Sequence, residues 1–266
     1  MGKRIKIMEK LIVLGDIHGR PIWKEILKKY KNEDCIFIFI GDYFDSYYYN
    51  LGDQLFNFNE ILEFKKANPD KVILLWGNHD HLYLHQTPDK IFISGYQGDE
   101  ACHQINYVLS KNYDLLQAAY SYNDTLFTHA GVSITWLKGV SYLLKTEMPD
   151  FTAKDIAQYV NYAWNETTYL FNYISGSDPY GNNDFQSPIW IRPQALMKCN
   201  QDIKKNLIQI VGHTNQKQID IQGKSTGKRY FFIDTLGTNQ EYLIIKNKAF
   251  QSGKIYNYES DKSHES

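Results

Sequence analysis

Cysteine is scarce in this 266-residue chain: Cys35, Cys102 and Cys199 stand far apart and form no CxxC pair. Three isolated thiols argue against a disulfide scaffold and for a reducing compartment. An excess of one charge is also missing, since 29 Lys and Arg face 30 Asp and Glu. No global field draws a polyanion, and no basic run exceeds two or three residues, so strong nucleic-acid binding is not expected. No apolar run approaches the roughly 18 residues that a membrane-spanning helix needs, so no membrane association is expected. The basic stretch Met1–Lys10 lacks the apolar core and cleavage site of a leader, and Leu11–Leu14 is too short to supply one. A cytoplasmic location is therefore the expectation. No internal repeat or linker divides the chain. One domain is expected over residues 1–258, with helical insertions at about 81–120 and 133–200, followed by a polar tail at 259–266.

Regular alternation fills the first 80 residues. Leu11–Leu14 reads as a short strand, and Pro21 with Ile22, Trp23, Ile26, Leu27 and Tyr30 gives helical spacing. Cys35–Ile40 reads as a strand buried on both faces. A helix is expected around Leu55–Ala67, stopped by Asn68-Pro69, and Lys71–Trp76 reads as a third strand. This β-α-β-α-β order implies parallel strands joined by right-handed crossovers. Further strands are expected at Thr125–Thr128, Leu207–Val211, Gln218–Ile221, Tyr230–Ile233 and Tyr242–Ile245.

Five of these strands end alike. Leu14 leads into Gly15-Asp16-Ile17-His18, Ile40 into Gly41-Asp42-Tyr43-Phe44-Asp45, and Trp76 into Gly77-Asn78-His79-Asp80. Thr128 leads into His129-Ala130-Gly131, and Val211 into Gly212-His213-Thr214. Each strand delivers a polar side chain beside a glycine that lets the chain turn sharply. In open α/β sheets, ligands bind at the carboxyl ends of the strands. A single Gly-Asp is commonly a turn and a single His a structural hydrogen bonder, but five such ends together point to one cleft. His81 and His85, four apart but without a completing acid, read as core or surface residues, and His103 and His264 have no motif around them.

The donors are carboxylate, amide and imidazole, without thiolate. This set suits manganese, iron or zinc, and imidazole disfavours calcium. Six donors are too many for one tetrahedral ion and suit two ions sharing a carboxylate.

The motifs GDIHG (15–19), GDYFD (41–45), GNHD (77–80), HAG (129–131) and GHT (212–214) occur in the order found in calcineurin-like metallophosphoesterases. The chain resembles that superfamily, and within it the phosphoprotein-phosphatase branch of bacterial or phage type, because Thr214-Asn215 follows His213 where other branches carry a GHxH pair. The resemblance implies a four-layer α/β/β/α sandwich with two central mixed sheets and a helical insertion. It implies two divalent metal ions, with manganese the first expectation and iron or zinc the alternatives. Asp16, His18 and Asp42 would hold the first ion; Asp42 would bridge to the second, completed by Asn78, His129 and His213. His79 would be the catalytic general acid, oriented by Asp45. Two divalent ions bring about +4 and the two aspartates with a bridging hydroxide return about −3, which leaves room for a phosphate attacked in line.

Ser46 departs from the branch's pattern, which places an arginine after the second aspartate to reach the phosphate. A hydroxyl cannot replace a bidentate guanidinium. Arg192, in Ser187-Pro188-Ile189-Trp190-Ile191-Arg192-Pro193, is the candidate for substrate binding together with Asn78; Arg20, beside the helix-opening Pro21, is the poorer one. The expected activity is hydrolysis of phosphomonoesters, on a phosphorylated protein (Ser, Thr or Tyr) or small molecule. The alternatives are hydrolysis of nucleotides or dinucleoside polyphosphates, for which Tyr47-Tyr48-Tyr49 could stack a base, and a non-catalytic metal-binding scaffold.

Overall fold

The computed structural model describes residues 10–84, 95–174, 182–200, 207–222 and 229–256. The expected tail at 259–266, His85 and His264 lie outside them. Strand β1 (Lys10–Leu14), helix α1 (Trp23–Tyr30), β2 (Cys35–Phe39), α2 (Leu51–Ala67) and β3 (Val72–Leu75) realise the expected alternation. Helices α3 (Asn78–Leu84) and α4 (Asp99–Lys111) follow, then strands β4 (Leu116–Gln117), β5 (Ala119–Tyr122) and β6 (Thr125–Thr128). Helices α5 (Ile134–Leu144), α6 (Ala153–Glu166) and α7 (Pro193–Cys199) precede β7 (Ile208–Val211), β8 (Asp220–Gln222), β9 (Arg229–Phe232), β10 (Glu241–Lys246) and β11 (Ala249–Lys254).

The strands form two mixed sheets, ordered β11-β10-β1-β2-β3-β4 and β5-β6-β7-β9-β8. β1 to β4 run parallel, with β10 and β11 added antiparallel at one edge. In the second sheet β6, β7 and β9 run parallel, flanked by antiparallel β5 and β8.

Alternating side chains explain the layers. Leu11, Val13, Ile36, Ile38, Ile73 and Leu75 point from the first sheet toward Phe127, Ile210 and Phe231 of the second. Their neighbours Ile12, Leu14, Phe37, Phe39, Val72 and Leu74 point the other way, onto Trp23 and Ile26 of α1 and Phe58, Ile61 and Leu62 of α2. On the outer side of the second sheet, Val211, Tyr230 and Phe232 meet Ala195 and Leu196 of α7. The result is the expected helix–sheet–sheet–helix order. The all-apolar Cys35–Phe39, buried at every position, owes its composition to this double covering.

Three strands and one helix start were not legible in the sequence. β4 is only two residues long, β5 reads Ala-Tyr-Ser-Tyr and β11 reads Ala-Phe-Gln-Ser-Gly-Lys, so none carries a clear two-residue hydrophobic period. Helix α2 begins at Leu51 rather than near Leu55, because the Asn50 side chain accepts the N–H of Asp53 at 3.0 Å and caps it.

Candidate active site

The carboxyl ends of β1, β2 and β3 in one sheet and of β6 and β7 in the other open toward the same place, and the loops that follow are tied to one another. The N–H groups of Ile17 and His18 donate to the carbonyl of Asp42 at 3.0 and 2.7 Å. The N–H of His213 donates to both carboxylate oxygens of Asp16, at 3.0 and 3.1 Å, and Gly212 N–H to the carbonyl of His129 at 2.8 Å. Four residues here, His18, Asp42, Asp45 and His213, hold left-handed backbone at φ of 43, 52, 65 and 63°. Such strain persists where the surroundings over-determine the conformation, and it collects at functional sites. The glycines are needed for space. A Cβ at Gly77 would stand 2.1 Å from Oδ1 of Asp42, and one at Gly212 would stand 2.1 Å from Oδ1 of Asp16.

Asp16, Asp42, Asn78, His129 and His213 are buried, and single ligand atoms of Asp16, Asp42 and His129 lie within 4.8 Å of one another. Three histidines are fixed by backbone carbonyls. His18 Nδ1–H donates to Phe44 O at 2.6 Å, His129 Nδ1–H to Ile40 O at 2.9 Å, and His213 Nε2–H to Trp190 O at 2.9 Å. The other ring nitrogen of each points inward. His129 Nε2 lies 2.8 Å from Asn78 Oδ1 and 3.3 Å from Asp42 Oδ2; His213 Nδ1 lies 2.9 Å from Asn78 Oδ1; His18 Nε2 lies 3.8 Å from Asp42 Oδ2. On a neutral ring that nitrogen carries a lone pair, and lone pairs facing carboxylate and amide oxygens repel unless a proton or a metal cation sits among them. Histidines held by carbonyls through their outer nitrogen are the ordinary arrangement of metal ligands. The residues present thus fit divalent ions.

The electrostatics agree. Burial, then the charges of Asp234 and Asp42, raise the Asp16 carboxyl well above its usual range. Burial opposes ionisation of Asp42 too, but His129 and His79 outweigh it and hold that carboxyl well below the usual range. Burial lowers His18 to about 3 and puts His213 well below its ordinary value, where Arg192 and His129 add to the effect. Without a metal, a proton on His129 takes the cation's place. Burial disfavours the charge on His129, yet Asp42 and Asp16 push its pKa up to about 9.

Beside this cluster, His79 Nδ1 is 2.7 Å from Asp45 Oδ2, and the His79 N–H donates to Asp42 Oδ1 at 3.0 Å. Burial opposes protonation of His79, but Asp42 and the hydrogen bond to Asp45 raise its pKa to about 9. The rings of His18 and His79 meet edge to face at 5.2 Å, and both are only half buried, so the cluster is approached from their side.

Arg192 sits beside the His213 end of the cluster. Its guanidinium donates to His213 O at 2.9 Å and to Thr214 Oγ1 at 3.1 Å. Burial lowers its pKa, against the attraction of Asp16, Asp42 and Asp234. The segment that carries it also accepts Ala130 N–H at Pro188 O, 2.7 Å away, so it joins both C-terminal histidine motifs. Ser46 builds a turn: its hydroxyl accepts the N–H groups of Tyr48 and Tyr49 at 3.2 Å. His81 is a core residue as expected, with Nε2 bonded to Thr168 O at 3.0 Å and its ring edge-on to Trp164.

Two carboxylates here were not singled out from the sequence. Asp80 accepts the N–H groups of Asp42, Tyr43 and Gly77. Asp234 follows β9 as the other site residues follow their strands, but no glycine precedes it to draw notice. Burial raises Asp234 to about 6, against the pull of Arg20. Arg20 lies against Gly237, in the loop beyond Asp234.

Comparison with known proteins agrees with this geometry. A cold-active protein-tyrosine phosphatase from a psychrophilic Shewanella species is structurally similar at 20% identity with a TM-score of 0.55, over 93% of this chain and 78% of its own. A protein serine/threonine phosphatase from Saccharomyces cerevisiae is similar at 14% identity with a TM-score of 0.57, over 96% of this chain and 82% of its own. Both likenesses establish the fold. Residues 9–217 match the family described as calcineurin-like phosphoesterase, and the chain belongs to that family of metal-dependent phosphoester hydrolases.

Proposed function

We propose that the protein is a phosphomonoesterase that acts on phosphorylated protein or small-molecule substrates, in the cytoplasm, with two manganese ions as its resident metals. The observation that carries this reading is the inward convergence of three histidine ring nitrogens on Asp42 and Asn78, each ring fixed by a carbonyl behind it. Asp16, His18 and Asp42 would hold one ion and Asp42, Asn78, His129 and His213 the other. When bound, two divalent ions lower the pKa of the attacking water and neutralise charge on the phosphoryl oxygens.

The chain's own groups do the rest. Arg192, anchored on His213 and Thr214, orients a phosphoryl oxygen by a charge-assisted hydrogen bond, with the Asn78 amide as its neighbour. His79 carries a proton on the nitrogen that faces away from Asp45. It gives that proton to the leaving oxygen as the P–O bond breaks. Asp45 holds the opposite nitrogen and so fixes the tautomer and the ring plane.

The test is manganese-dependent release of p-nitrophenol from p-nitrophenyl phosphate, beside hydrolysis of a dinucleoside tetraphosphate. Turnover of the aryl ester and none of the dinucleotide supports the reading. Turnover of the dinucleotide alone would replace it with polyphosphate hydrolysis, and silence of the metal-loaded protein on both would favour a binding scaffold.

A further inference from the structure

Asp45 has two oxygens, and one helix occupies both. Oδ2 meets Nδ1 of His79, and Oδ1 accepts a hydrogen bond from the hydroxyl of Tyr83. His79 and Tyr83 are four residues apart on α3, so they project from the same face of that helix. The direction of the tyrosine proton is settled by its other partner: Gln97 N–H donates to Tyr83 Oη at 3.3 Å, which leaves the hydroxyl proton for Asp45.

Tyr83 itself is fixed. It is 1% exposed, stacks on Tyr96 at 5.8 Å and 22°, and meets Phe44 edge-on at 6.2 Å. Its carbonyl accepts the Asn106 amide at 2.7 Å. The chain behind Asp45 is fixed as well. Gln97 Nε2 donates to Ser46 O at 3.0 Å, and Gly95 approaches so closely that a Cβ there would stand 2.6 Å from Asp45 O. Asp45 is therefore held at both carboxylate oxygens and along its backbone, which is in the left-handed conformation.

We infer that Tyr83 is a positioning residue for the proton donor: by binding Oδ1 it fixes the carboxylate plane of Asp45, and Asp45 Oδ2 then aims His79 at the leaving oxygen. This rests on the reading of His79 as general acid. Without the hydroxyl, Oδ1 becomes a buried acceptor that has lost its side-chain donor, and the carboxylate can rotate away from His79. The consequence depends on the leaving group. A nitrophenolate departs with little help, whereas an alkoxide needs the proton in the transition state.

The experiment compares kcat for p-nitrophenyl phosphate and for an alkyl phosphate in the manganese-loaded wild type, Tyr83→Phe, His79→Ala and the double variant, with metal content checked in each. Tyr83→Phe is expected to leave aryl-ester turnover within about threefold and to lower alkyl-ester turnover roughly tenfold, a fraction of the usual general-acid contribution. In the His79→Ala background it should add nothing, because groups that act as one unit are not additive. If His79→Ala discriminates between the esters but Tyr83→Phe lowers both alike or neither, the inference is overturned and the acid role of His79 stands. If His79→Ala lowers both esters equally, the acid role falls and this inference with it. Should Tyr83→Phe not fold, 3-fluorotyrosine placed at position 83 keeps ring and hydroxyl while changing donor strength. The ratio of the two turnovers should then change more than about twofold, and an unchanged ratio overturns the inference.

Discussion

Asp80 Oδ2 accepts the backbone N–H of Asp42 at 2.8 Å, so the last residue of GNHD shapes the turn that presents the central carboxylate of the site. The same oxygen takes Gly77 N–H at 2.9 Å, and Oδ1 takes Tyr43 N–H at 2.8 Å. Asp80→Asn keeps one acceptor oxygen and sets an amide N–H₂ against a backbone donor. The metal-free variant is expected to lose about 1–3 kcal/mol in denaturant unfolding, the cost of a buried donor left unmade, and to bind manganese more weakly. Wild-type stability and metal affinity together would show that these three hydrogen bonds do not hold Asp42.

His79→Ala removes the proposed acid without removing a metal ligand. Metal content should stay at the wild-type level while turnover of alkyl esters falls by roughly 10²–10⁴ and that of p-nitrophenyl phosphate falls far less. A loss of metal equal to the loss of rate would instead make His79 part of the metal site.

Arg192→Ala tests phosphate recognition in a chain that carries Ser46, not an arginine, after Asp45. KM should rise about tenfold, the usual worth of one charge-assisted hydrogen bond, with kcat changed little. Arg192→Lys should not restore it, because an ammonium cannot both hold His213 O and Thr214 and reach the substrate as a planar fork does. Unchanged steady-state kinetics would leave Arg192 as the clamp that joins two loops and nothing more.

Much of the site was legible because each ligand motif sits at the end of an apolar strand: Asp16 after Leu14, Asp42 after Ile40, His213 after Val211. Strand direction and the both-sides-buried composition of Cys35–Phe39 then bring those ends together. What the sequence hid depends on contacts between distant segments. Tyr83 and Asp45 are 38 positions apart, and nothing in Leu82-Tyr83-Leu84 marks the tyrosine as more than a core residue. Asp234 lacks a neighbouring glycine, and the edge strands β5 and β11 bury only one residue each, too little to impose an alternating pattern. Ser46 was legible as a departure, but its work as the acceptor for Tyr48 and Tyr49 needed the folded turn.

Metal removal should make stability depend on pH in a definite direction. His79 and His129 have native pKa values near 9, above the roughly 6.5 of an unfolded histidine. A raised histidine pKa gives stability that is full below about 6.5 and is lost as pH rises toward 9. Asp80, raised to about 7 by burial and by Asp42, acts in the same direction up to that pH. The melting temperature of the EDTA-treated protein should therefore fall between about pH 6.5 and 9, and manganese should reduce that fall by replacing the protons. A flat or rising melting temperature without metal would contradict these shifts.

The most direct measurement is manganese content together with turnover of p-nitrophenyl phosphate for the wild type and Asp42→Asn, purified in parallel. Asp42 faces the His18 and His129 rings, accepts the backbone N–H of His79, and is the carboxylate proposed to be shared by both ions. The wild type should carry about two ions per chain, as a two-metal phosphoesterase does, and Asp42→Asn fewer than one with turnover at background. Two ions and full turnover in Asp42→Asn would remove the shared carboxylate, and with it the dinuclear site.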